Sequence, residues 1–268
     1  MDRVAFTIFG IEVAWYGMLI AMGMLLGVLL AVRRTKAIGV QEDIMYDIAL
    51  WSIPAGVIGA RIYYVIFNWA YYSQDLIRIL QFRQGGLAIH GGIIAGFVTG
   101  YFLCLKHGVS FPAMADVTAP SMILGQAIGR WGNYFNQEAY GRPTELPWAI
   151  IIDGVGVHPT FLYESIWNFL VMGWLLFYTD RKKVDGEVFL HYLILYSVGR
   201  FFIEGLRTDS LMIGPLRTAQ VVSLLMIIVG LVGVKWLRYQ NKHAHGHSES
   251  SNEKMMDDND EQQQHKDK

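Results

Sequence analysis

The chain has 268 residues, 53% of them hydrophobic, and a formal net charge of −1. Its apolar residues gather in successive runs close to the 20 or so needed to cross about 30 Å of hydrocarbon, which excludes an ordinary soluble domain and points to an all-α integral membrane protein. A charge near zero argues neither for nor against a nucleic-acid partner, such a bundle offers no site for one, and the single cysteine, Cys104, excludes an intrachain disulfide and Cys/His zinc spacing.

Hydropathy predicts membrane helices at 12–32, 46–67, 88–105, 114–132, 160–178, 188–206 and 218–237. Together they make a seven-helix transmembrane bundle within residues 1–240. The first run, Ile11 to Val32, is longer than the core of a signal peptide, precedes Arg33 and Arg34, and has no Ala-x-Ala site, so it reads as a retained helix. Trp69, Tyr71, Tyr72, Leu76, Ile77 and Leu80, with Arg78 and Arg83, predict an interfacial amphipathic segment over 70–84. Gly92, Gly96 and Gly100 lie four apart, as do Gly125 and Gly129, and such small-residue ridges let membrane helices approach closely. Cys104, in an apolar helix, reads as a small packing residue. Residues 241–268 are polar and low in complexity, the composition of a disordered tail; His243, His245 and His247 belong to it and read as solvated.

With seven spans, every lysine falls in one set of alternate loops or in the C-terminal tail, joined by Arg33, Arg34, Arg181 and Arg238. By the positive-inside rule that side is cytoplasmic, which puts the N-terminus outside and the C-terminus inside. The opposite side carries Arg78, Arg83, Arg130, Arg142, Arg200, Arg207 and Arg217 but no lysine. Cations there work against the topology signal and call for a reason.

In the sixth helix Tyr196, Arg200 and Glu204 recur every four residues and Arg207 follows three later, which sets them on one face. An ion facing lipid at mid-bilayer costs about 2.5–3.5 kcal/mol or more, so this face turns into the bundle. Taken alone, Arg200 with Glu204 reads equally as a structural ion pair. The fourth helix and its loop read GQAIGRWGNYFNQEAYG, with Gln126, Arg130, Asn133 and Gln137 at helical spacing and Asn136 and Glu138 near the end. A guanidinium among amides suits a phosphate, since it offers a planar fork of donors and keeps its charge. The third helix opens GGLAIHGG; its flanking glycines leave His90 accessible, and a reference pKa near 6.5 fits proton transfer. Tyr16, Arg61 and the run HPTFLYE (His158 to Glu164) complete a polar ring at similar depth. A secondary transporter would place its charges at the midplane between inverted repeats, and the halves of this chain share no similarity. A purely structural membrane protein gives no reason for so many ionisable groups at one level.

These residues resemble a known family. GRWGNYFNQEAYG is similar to the signature of the bacterial prolipoprotein diacylglyceryl transferases, Gly-Arg-x-Gly-Asn-Phe-x-Asn-x-Glu-x-x-Gly, with Arg130, Asn133, Asn136, Glu138 and Gly141 on its key positions. Tyr134 stands where Phe is usual, and Phe135 falls at a variable position. GGLAIHGG, HPTFLYE, the Tyr196–Arg200–Glu204 helix with Arg207, and AWYG around Tyr16 match in order, so the resemblance covers roughly residues 10–240. It implies a transferase of the bacterial cell membrane, active toward the outer leaflet. The diacylglyceryl group of phosphatidylglycerol goes to the lipobox cysteine of a preprolipoprotein signal peptide, a thioether forms, and glycerol phosphate leaves. No metal or organic cofactor is implied. The reactive cysteine is the substrate's, which is why this chain offers none; Cys104 falls at the other end. Under that reading the catalytic residues are His90, Arg130, Arg200 and Glu204. Substrate is bound by Tyr16, Arg61, Asn133, Asn136, Glu138, Gly141, Tyr196 and Arg207. A thiol must lose its proton to attack carbon. His90 fits the base by position and pKa, or Arg200 lowers the thiol pKa while His90 binds lipid. Asn133, Glu138, Tyr196 and Glu204 would orient the arginines and the glycerol hydroxyls.

Overall fold

The computed structural model describes residues 3–82, 85–208, 212–214 and 216–266, without the side chains of 11, 213, 216 and 244–266. Arg83 and the side chains of His245 and His247 lie outside the described residues. Eight α-helices carry the described chain: α1 (Trp15–Thr35), α2 (Glu42–Phe67), α3 (Trp69–Tyr72), α4 (Ile89–His107), α5 (Phe111–Asn136), α6 (Thr160–Thr179), α7 (Glu187–Glu204) and α8 (Thr218–Lys266). Each segment marked by hydropathy falls on one of them. Among the described residues, five helices are long and apolar enough to cross a membrane: α1, α2, α4, α6 and the first part of α8, Thr218–His243. The remaining two long helices carry the polar residues. α5 holds Asp116, Gln126, Arg130, Asn133 and Asn136, and α7 holds Glu187, His191, Arg200 and Glu204.

The outward faces of these helices are apolar. Leu50, Ile58, Ile62 and Ile66 of α2, Ile93, Ile94 and Phe102 of α4, and Leu170 and Phe177 of α6 are all exposed. Water would not tolerate so continuous an apolar surface, whereas lipid solvates it. Helix association then rests on close packing, because lipid removes the hydrophobic incentive. α2 meets α4 where Gly59 faces Gly91 and Ala95; a Cβ on either glycine would overlap the other helix. Gly92 faces the Gly56 carbonyl in the same seam. α1 meets α5 through Gly23 on Gly125 and Gly27 on Ser121, where a Cβ would sit 3.1 Å from the opposing carbonyl oxygen. The expected ridge at Gly92 and Gly125 is therefore a packing surface, and Cys104 is buried with Met45, Ile48, Met114 and Val117.

α5 runs through the middle, against α1, α6 and α7. Ser110 caps its start by accepting from the Ala113 N–H at 3.4 Å, and Gln137 ends it in a left-handed conformation, φ 52°. One end of the bundle has short connections: 36–41, 108–110 and 180–186. Lys36, Lys106, Lys182, Lys183 and Lys235 collect there. Buried Asp116 anchors this end by accepting from Lys182 Nζ and from the Gly186 and Phe189 N–H groups, each at 2.9 Å. Burial works against the charge of Lys182, but its hydrogen bonds to Asp185 and Asp116 outweigh that and raise its pKa. Glu187 is similarly held by Arg238 and by Tyr178 at 3.1 Å.

The other end has long connections and three short antiparallel hairpins that hydropathy did not suggest. β1 (Val4–Ile8) pairs with β2 (Ile11–Ala14), β3 (Ile150–Ile152) with β4 (Val155–Val157), and β5 (Met212–Ile213) with β6 (Leu216–Arg217). Phe9–Gly10 and Asp153–Gly154 turn the first two, all four residues with positive φ, which matches the twist of two-residue hairpin loops. The expected amphipathic segment is α3 followed by a 3₁₀ turn, Leu76–Leu80, with Trp69, Tyr71, Leu76, Ile77 and Leu80 exposed and Tyr72 buried.

Candidate active site

Near the long-loop end, the last turns of α5 and α7 and the N-terminal part of α6 bring charged groups together below the surface. Their hub is Glu164, only 4% exposed. Arg130 Nε of α5 lies 2.6 Å from its Oε2, and Arg200 Nη1 of α7 donates to its Oε1 at 2.7 Å. Arg207 Nη1 stands 3.9 Å from the same Oε1. Arg200 also reaches Glu204, one turn along its own helix, with Nη2 to Oε2 at 2.7 Å, and Arg207 Nε is 3.9 Å from that oxygen. The Glu204 backbone carbonyl accepts from Arg217, and the Tyr196 hydroxyl from Arg130 at 3.5 Å.

Among the described residues, four guanidiniums stand around Glu164 and Glu204. A guanidinium stays protonated in a protein, and an unengaged guanidinium donor in such a place suits an anion. Arg130 Nη1 and Arg200 Nε make no hydrogen bond among the described residues, which leaves a donor on each fork for one.

The neighbouring helix fixes Arg130. The Tyr16 ring packs over Gly132, where a Cβ would overlap it, and Trp15 stacks on Phe135 with centroids 4.9 Å apart. On the other side Trp131 Nε1 donates to Ser165 Oγ at 3.1 Å, and that hydroxyl donates to the Ala127 carbonyl at 2.9 Å. Gln126 donates to the buried Tyr192 hydroxyl at 2.7 Å. Beyond the helix, Gly141 donates to the His158 carbonyl at 2.9 Å and Arg142 to the Leu206 carbonyl at 2.8 Å. A Cβ on Gly141 would come within 2.7 Å of His158 Cβ, so only glycine lets the loop lie against both the start of α6 and the end of α7.

The residues expected from sequence divide into three groups. Arg130, Tyr196, Arg200, Glu204 and Arg207 meet directly, with Tyr16 and Gly141 shaping their supports. Asn133 is half-buried one turn beyond Arg130, while Asn136 donates to exposed Glu138 at 3.2 Å on the rim. His90 and Arg61 are set apart. His90 is exposed in the first turn of α4, its ring centroid 6.2 Å from that of Tyr63, with no hydrogen bond or ion pair among the described residues. Arg61, 3% exposed, donates to the carbonyls of Arg78 (2.6 Å), Gly85 (2.7 Å), Ile79 (2.9 Å), Gly86 (3.0 Å) and Gln81 (3.3 Å). Its guanidinium therefore straps down the segment between α3 and α4. Sequence reading placed Glu164 in the polar ring only as the end of the HPTFLYE run, and gave neither it nor Arg217 a role. The available signal was a lone acid near the start of an otherwise apolar helix.

The family model for prolipoprotein diacylglyceryl transferase matches residues 3–236. The chain belongs to this family. A phosphatidylglycerol–prolipoprotein diacylglyceryl transferase of Clostridioides difficile (strain 630) is 55% identical over 91% of this chain and 98% of its own length. Proteins of the same name from Finegoldia magna and Bacillus cereus (strain Q1) are 54% and 50% identical, each over 87% of this chain and over 94% and 90% of theirs. This is a membrane transferase of lipoprotein biosynthesis, moving a diacylglyceryl group from phosphatidylglycerol to a prolipoprotein cysteine.

Proposed function

We propose that the arginine cluster receives the phosphate of phosphatidylglycerol while the lipobox thiolate of a preprolipoprotein attacks the adjoining glyceryl carbon. A carbon–sulfur bond forms, the carbon–oxygen bond to phosphate breaks, and glycerol phosphate leaves with that oxygen. The leaving phosphate gains negative charge, and Arg130 and Arg200 stabilise it in a site sheltered from water. His90, whose ring has no hydrogen bond among the described residues, accepts the thiol proton. Glu204 and Tyr196 orient the two arginines, while Asn133, Asn136 and Glu138 on the rim meet the glycerol hydroxyls. Arg207 adds charge beside the phosphate, and Arg61 acts through the segment it straps. In the membrane, α5 and α7 join the five apolar helices as spans shielded by their neighbours. The long-loop end faces outward, the lysine-rich end faces the cytoplasm, and residues 241–268 form a polar cytoplasmic tail.

The observation that carries this reading is the pair of guanidiniums on Glu164, Arg130 and Arg200, each with a donor that no hydrogen bond among the described residues engages. Transfer of a labelled diacylglyceryl group from phosphatidylglycerol to a lipobox peptide tests it, with a Cys→Ser peptide as control. Arg130→Ala and Arg200→Ala each lower turnover by about a hundredfold or more while the protein still inserts and accumulates. Near-normal turnover in both variants would remove the phosphate role.

A further inference from the structure

Glu164 does more than neutralise charge. Its two oxygens are shared between arginines of two different helices, Arg130 of α5 and Arg200 of α7, while it sits on a third, α6. We infer that Glu164 is the positioning residue of this site, a fixed carboxylate that sets the distance and tilt between the two guanidiniums so that their unengaged donors converge on one phosphate. The inference rests on the phosphate-binding role proposed above for those arginines.

Three observations support it. Glu164 is 4% exposed, and a carboxylate so buried needs cations beside it: its Oε1 accepts from Arg200 Nη1 at 2.7 Å and its Oε2 lies 2.6 Å from Arg130 Nε as an ion pair. Each arginine has a second carboxyl or hydroxyl contact, Arg200 to Glu204 and Arg130 to Tyr196, so each fork is held at two points and cannot pivot about one. Donors remain on both forks, so an anion can bind without displacing Glu164. Without its charge, two cations in a low-dielectric site would repel and swing apart. The site would become more positive but less ordered. Attraction for an anionic lipid would persist, and alignment at the reacting carbon would be lost.

That asymmetry separates positioning from plain structural support. In the transfer assay, Glu164→Gln lowers kcat per folded molecule by about a hundredfold, the scale of a misplacement near 1 Å, while KM for phosphatidylglycerol stays at or below the wild-type value. Glu164→Asp keeps the charge with a shorter reach and recovers a large part of kcat. Melting in detergent and size-exclusion profiles report how much of each variant is folded. Wild-type kcat in Glu164→Gln overturns the inference, as does a loss confined to KM, a loss matched by missing folded protein, or equal activity of the Gln and Asp variants. Should Glu164→Gln fail to accumulate, Glu164→Asp decides alone: reduced kcat with a near-normal melt supports positioning, and normal kcat removes it. Arg130→Ala in parallel isolates the underlying reading. If that variant turns over normally, the phosphate role is wrong; if it is dead while Glu164→Gln is active, only the positioning role falls.

Discussion

Among the described residues, Arg130 and Arg200 each keep a donor unengaged, and the His90 ring has no hydrogen bond or ion pair. In the proposed reaction the arginine donors receive negative charge and the ring receives a proton. The two roles are separable by pH. If His90 takes the thiol proton, His90→Gln lowers transfer at neutral pH, and the deficit shrinks as pH rises past about 8.5, where a free thiol ionises unaided. The sign follows from the substrate, since its thiolate fraction grows with pH whether or not a base is present. Arg130→Ala shows no such recovery, because phosphate stabilisation does not depend on thiol ionisation. A pH profile for His90→Gln parallel to wild type would take the base role from His90. Tyr196, Arg200, Glu204 and Arg207 were legible because their spacing sets them on one face of one helix. Glu164 was legible as the end of the HPTFLYE run but not as the hub, since its partners lie 34 and 36 residues away in sequence and only the packing of α5, α6 and α7 unites them. Arg61 looked like another member of the polar ring; sequence gives no means of knowing that backbone carbonyls from 78–86 occupy it.

Among the elements, helix existence was readable from apolar runs, whereas the partner of each helix was not. Gly92 and Gly125 announce close approach, but Gly56, Gly59 and Gly91 complete the α2–α4 seam, and nothing in a single sequence pairs those helices. The seam makes a sharp prediction. A Cβ at Gly91 would overlap the Gly59 carbonyl and Tyr63, with backbone on one side that cannot yield. Gly91→Ala therefore costs about 1–3 kcal/mol and lowers the melting temperature in detergent, while Gly173→Ala, with nothing within 4 Å of the added carbon, leaves it unchanged. Equal melting of the two variants would show that the seam is looser than described. The hairpins escaped the hydropathy reading because strands of two to five residues are shorter than any averaging window, and β2 merges into the apolar run of α1.

The whole molecule is polarised along its axis. Short loops and lysines gather at one end; long loops, hairpins and the arginine cluster gather at the other. Cysteine labelling tests how that axis lies in the membrane. With buried Cys104 replaced by alanine, Asp153→Cys at the β3–β4 turn reacts with a membrane-impermeant maleimide on intact cells, and Lys183→Cys reacts only after permeabilisation. The reverse pattern would invert the proposed orientation. At the long-loop end, Arg61 straps down residues 78–82 and 85–86. One guanidinium satisfies five carbonyls there, a task that otherwise falls to a neighbouring strand or to separate side chains. Removing that one side chain would strip all five carbonyls of their donor at once, so the order of the whole strap hangs on a single residue.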